Sequence, residues 1–61
     1  MSRIELFDLV RTIDGREGTV VHRHDRPGLP LAYEVEFGAK MELQTIAANE
    51  VEKVVWKASI V

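Results

Sequence analysis

The sequence has no cysteine, so disulfides are excluded as the brace of a very short chain. Serine is nearly missing too: Ser2 and Ser59 both lie close to an end of the chain, where a nucleophile is hard to hold within reach of a base. Covalent hydrolysis is therefore not expected. No apolar run approaches the roughly 18 residues of a membrane span. "MSRIELFDLV" has neither the unbroken apolar stretch nor the cleavage site of a signal peptide, and the default location is cytoplasmic. Basic charge is not in excess: the formal net charge of -2 argues against a chain devoted to wrapping nucleic acid, which needs a concentrated positive face. Aromatic residues make up only 7%, which makes the single tryptophan, Trp56, worth following.

What is present reads as one small globular domain. A chain of 61 residues buries only about 60% of the surface its unfolded form exposes. Small cores of this kind need a staple, self-association or efficient packing, and without cysteine the first option narrows. The composition, 46% hydrophobic and 30% charged, is that of a folding domain. Its charge is divided along the chain. Arg3, Arg11, Arg16, Arg23 and Arg26 lie in the first half, while Glu34, Glu36, Glu42, Glu50 and Glu52 dominate the second. Such a division suits either complementary faces or ordinary solvation.

Turn residues recur at short spacing, the punctuation of antiparallel strands. "IELFDLVRT" (4 to 12) mixes strand and helix signals and is taken as a strand because it runs straight into "IDGREG". In that loop Gly15 and Gly18 are expected at positive φ. "TVVHRH" (19 to 24) is β-branched at its start and reads as the second strand, ended by "DRPGLP". "LAYEVEF" (31 to 37) is the plainest segment, with Tyr33, Val35 and Phe37 alternating against Ala32, Glu34 and Glu36. "MELQTI" (41 to 46) completes a hairpin, "AANE" (47 to 50) suits a 3₁₀ turn, and "VEKVVW" (51 to 56) supplies a fifth strand. The expected fold is all-β: a small SH3-like barrel of five antiparallel strands with a 3₁₀ turn before the last.

The order "LFDLVRT", "GREGTVV", "AYEVEF", "LQTIAANEVEKV" resembles a family of short bacterial proteins of unknown function with an SH3-like barrel, over about residues 5 to 54. The loop between the first two strands is shorter here than in that family. The resemblance implies a compact accessory protein that neutralises or regulates a partner. "GREGTVV" is also similar to the opening of KOW domains, which bind RNA or protein; Arg16, Arg23 and Arg26 would carry such binding. "LQTIAANEVEKV" is similar to the closing segment of plasmid-borne type II dihydrofolate reductases, tetramers built around one pore that holds folate and NADPH. Gln44 matches that family's pore glutamine, but Thr45 and Ile46 follow where an aliphatic residue and a tyrosine are expected.

The candidate chemistry reduces to surfaces. Gly15 and Gly18 lack the spacing and the Lys-Ser/Thr of a phosphate loop, so "GREGTV" is a turn entering a strand. His22 and His24 face one way on a strand and offer two imidazoles, yet zinc wants a further ligand that Asp25 is badly placed to give, and exposed strand-end histidines are the plainer reading. Glu34 and Glu36 form a solvated acidic stripe or a dock for a cationic protein. Trp56 either closes one end of the barrel or sits at the desolvated centre of an interface. Residues 57 to 61 continue apolar and suit an edge-strand tail. The sequence thus points to a non-catalytic, self-associating protein-interaction module. Its contact residues would be Tyr33, Glu34, Glu36, Trp56, Ile60 and Val61, with no cofactor and no metal.

Overall fold

The computed structural model describes residues 4 to 38, 40 and 42 to 58. Within them the chain forms five antiparallel strands in one sheet: β1 (Leu9–Thr12), β2 (Glu17–His24), β3 (Ala32–Phe37), β4 (Glu42–Ala47) and β5 (Val51–Trp56). A single turn of 3₁₀ helix, Ala48–Glu50, precedes β5, as expected. The sheet order is β4-β3-β2-β1-β5, so β4 and β5 are its outer strands. Met41 of the expected hairpin, and Ile60 and Val61 of the expected tail, lie outside the described residues.

One face of the sheet is the core: Val10, Val20, Tyr33, Val35, Phe37 and Ile46. The alternation read in β3 places Tyr33, Val35 and Phe37 there. Tyr33 is therefore a core residue and presents no surface to a partner, contrary to its place among the contact residues. Its hydrophobic ring is worth more buried in so small a core than displayed. Gly18 also departs from expectation. It lies within β2, opposite Val10 and Phe37, and is not among the positive-φ residues. A Cβ there would come within 2.6 Å of Val35, 2.7 Å of Phe37 and 2.8 Å of the Glu36 carbonyl, so glycine is required by close packing and not by a turn.

The first strand is shorter than the apolar segment that contains it. A turn closes from the Asp8 amide to the Glu5 carbonyl, and β1 begins only at Leu9. Phe7, the third residue of that turn, has φ of 71°. Its amide donates to the Val20 carbonyl, and the Val20 amide donates to the Asp8 carbonyl. A left-handed residue followed by one that shares its partner is the pattern of a G1 bulge, whose first position belongs to glycine. Phenylalanine holds it here.

The last strand is irregular in a different way. Against β1, Leu9 pairs Trp56 and Val10 pairs Val54, which skips Val55; Arg11 pairs Lys53 and Thr12 pairs Val51, which skips Glu52. Each skipped residue is a bulge, and each resets the alternation. Val51 and Val54 pack toward the core while Glu52, Lys53, Val55 and Trp56 are exposed, so inward positions recur every three residues instead of every two.

Candidate interaction surfaces

Among the described residues, four of the seven exposed large apolar side chains lie where β1 begins and β5 ends; Ile13, Leu29 and Leu43 are the other three. Phe7 is 61% exposed and Trp56 55%, with Leu6 and Val55 also open to solvent. The bulge at Val55 is what turns Trp56 outward, opposite Leu9. Trp56 therefore does not seal the monomer. The apolar residues leading into β1 and those ending β5 occupy the same end because β1 and β5 are hydrogen-bonded neighbours.

A buried carboxylate fixes this end. Asp8 has no solvent-accessible surface. Its Oδ2 accepts from Lys57 Nζ at 2.7 Å and from the Glu5 amide at 2.9 Å, while Oδ1 accepts from the Ala58 amide at 2.9 Å. Burial pushes the Asp8 carboxyl up, but these hydrogen bonds and the Lys57 charge outweigh it and hold the group below the usual 3.8. Lys57 also lies 3.7 Å from Glu5. The residues on either side of β1 and β5 are thus tied through one side chain. Sequence reading passed over Asp8; the available signal was a lone acid inside the apolar run "LFDLV".

The other outer strand, β4, is held mainly by regular backbone pairing, with Ile46 reaching the core. β4 runs against β3 through six consecutive pairs, Ala32 with Ala47 to Phe37 with Glu42, with no register shift. Glu42, Leu43, Gln44 and Thr45 are exposed. On β3 the outward carboxylates differ: Glu34 Oε1 lies 3.0 Å from His24 Nε2, whereas Glu36 sits between Thr19 and Leu43. His22 and His24 meet edge to face at 4.7 Å on the same side. Among the described residues no three His, Cys, Asp or Glu side chains gather as a cation cage would need.

Two residues singled out for different chemistries meet on the core side of the sheet. Arg16 Nη1 donates to Gln44 Oε1 at 3.0 Å, and the Arg16 guanidinium lies 4.5 Å over the Phe37 ring. Arg16 also pairs with Asp14 at 3.0 Å. Asp14 is held below the usual 3.8, chiefly by the Thr12 hydroxyl that donates to it, helped by Arg16. The adjoining cleft of Thr12, Ile13, Asp14, Arg16, Ile46 and Glu50 measures about 170 Å³, below the roughly 300 Å³ at which small-molecule pockets begin. Arg23 pairs with Asp25 at 3.2 Å, and its Nε is buried without a hydrogen-bond partner. Arg26 falls in the following turn, before Leu29. The arginines are thus dispersed, and two of them are neutralised by neighbouring carboxylates.

The fold defines a small all-β domain with two contrasting outer strands. Comparison with family models, with curated proteins and with solved structures finds no match to this chain. Among the described residues no helix is long and apolar enough to cross a membrane.

Proposed function

We propose that the chain is a non-catalytic protein-interaction module, and that its contact surface is the apolar end formed by Leu6, Phe7, Val55 and Trp56. The observation that carries this reading is Phe7. A left-handed backbone costs a residue with a Cβ about 1 to 2 kcal/mol, and the ring gains little back while it is 61% exposed. Strain of that kind at an exposed aromatic is intelligible when the ring is wanted on the surface. Trp56 repeats the pattern through a bulge instead of a turn. Tryptophan and phenylalanine are enriched at the buried centres of interfaces, and the Asp8 clamp presents these two on a rigid base. The arrangement of Arg16, Arg23 and Arg26 lacks the concentrated positive face that a nucleic-acid reading needs.

The test is site-specific photo-crosslinking in the cells that make the protein. A photoreactive residue in place of Trp56 should trap a discrete protein partner, and the same residue in place of Asn49, exposed in the 3₁₀ turn, should not. Equal trapping at both positions, or at neither, would overturn the proposal.

A further inference from the structure

The free edge of β4 has a definite chemistry that follows from its neighbours. The Ala48 amide donates to the Leu31 carbonyl, so residues 48, 46, 44 and 42 direct their backbone groups toward β3. Leu43, Thr45 and Ala47 direct theirs away. The Ala47 amide is already taken, donating to Glu50 Oε1 at 3.0 Å. What remains for an incoming strand is the N–H and C=O of Leu43 and of Thr45. Among the described residues nothing blunts this edge: β4 has no bulge, no proline and no lysine, and Glu42 is its only charge. β5 shows the opposite treatment, with bulges at Glu52 and Val55 that break the even spacing of edge groups.

We infer that β4 pairs antiparallel with β4 of a second copy about a two-fold axis at Gln44. Directly opposed residues in an antiparallel pair share a face, so the axis must fall on a residue and not between two. Centred on Gln44, Leu43 opposes Thr45 of the second copy, and each such pair exchanges both backbone hydrogen bonds. Every free group of Leu43 and Thr45 is then satisfied. Centred on Thr45, Leu43 would instead face Ala47, whose amide is occupied. The favoured register sets no like charges opposite each other, since Glu42 meets Ile46. It also brings the two Gln44 side chains together as a non-hydrogen-bonded pair. Arg16 occupies Oε1 and leaves the amide N–H groups as donors. The partner is a second copy because the strand is complementary to itself in this register. The contact is isologous and closed, so it ends at a dimer.

Sedimentation equilibrium from micromolar to millimolar protein tests this, combined with amide hydrogen exchange over the same range. The mass should rise from 6.9 kDa toward twice that value, and the Leu43 and Thr45 amides should become protected as it does. The double variant Leu43→Lys, Thr45→Lys opposes lysines across the axis and should weaken association at least about tenfold while remaining folded. Thr45→Pro removes one of the free N–H groups without touching a bond to β3 and should act in the same direction. A mass fixed at 6.9 kDa, association with unprotected Leu43 and Thr45 amides, or undiminished association of the folded lysine variant would overturn the inference. None of these outcomes bears on Trp56, which lies at the far edge of the sheet.

Discussion

The two outer strands of this sheet solve the same problem in opposite ways. At β5 the backbone is kinked twice, and side chains hold it: Asp8 binds Lys57 and the Ala58 amide, and Val51 and Val54 reach the core at a spacing of three. At β4 the backbone is regular and pairs with β3 without a break; Ile46 reaches the core and Gln44 accepts from Arg16. An irregular edge resists another strand but can aim side chains outward; a regular edge does the reverse. Bulges here are therefore not defects of pairing. They are how a chain with few aromatics displays one of them.

Removing the clamp should have the largest effect on the difference between the two edges. Asp8→Ala takes one acceptor from Lys57 and from each of the Glu5 and Ala58 amides. Losing one partner of a buried pair costs about 3 to 5 kcal/mol, and the low end applies because Lys57 can still reach water. A domain of this length holds roughly 3 to 9 kcal/mol in total. Urea denaturation should therefore find Asp8→Ala less stable by about 3 kcal/mol, a third or more of the total, while Glu42→Ala on the other edge shifts the midpoint little. Equal losses at the two positions would erase the distinction.

Acid should act through the same residue. The Asp8 carboxyl is held below its ordinary value of 3.8 in the folded state, so the unfolded chain binds the proton more readily. The stability this contributes is fully present above the ordinary value and is lost as pH falls through the folded one. Asp14 is lowered as well and works in the same direction from an exposed site. Denaturation midpoints should fall between neutral pH and pH about 3. In Asp8→Asn most of that fall should be gone; an unchanged slope would assign it to other carboxylates.

Phe7 gives a smaller effect of opposite sign. Phe7→Gly removes the strain of the left-handed position, about 1 to 2 kcal/mol, and returns up to about 1 kcal/mol as unfolded-state entropy. The expected result is a midpoint unchanged or raised by up to about 1 kcal/mol, together with loss of any product trapped from position 56. A clear loss of stability would mean that the ring serves the fold after all.

How much of this could be read from the sequence depended on whether a segment obeyed a simple period. β3 alternates strictly, so its core face was legible residue by residue, and the 3₁₀ turn followed from the length of "AANE". β5 was placed correctly as a strand, but no alternation of two predicts its faces, because the bulges at Glu52 and Val55 arise from its fit to β1. The sequence makes the first strand look longer than it is for a related reason: "IELFDLV" contains no glycine to announce a left-handed turn at Phe7. Asp8 is hard to read from the sequence because two of its three partners, Lys57 and Ala58, are 49 and 50 residues away. Gly18 reads in the sequence as a flexible turn residue, although its role depends on Val35 and Phe37 across the sheet.

The smallest expected effect is at β4, and it is informative because it is small. In the isolated chain the Thr45 amide points away from β3, so Thr45→Pro breaks no hydrogen bond of the monomer. Proline is tolerated at such edge positions, whereas Gln44→Pro would remove a bond to Val35 and force the ring into the ladder. Thermal unfolding in dilute solution should place Thr45→Pro near the parent and Gln44→Pro lower by about 1 to 3 kcal/mol, the cost of leaving a ladder partner unsatisfied. That contrast fixes which backbone groups of β4 are free, independently of whether a second strand ever binds them. If the two prolines were equally damaging, the alternation of the edge would be wrong, and so would the register deduced from it.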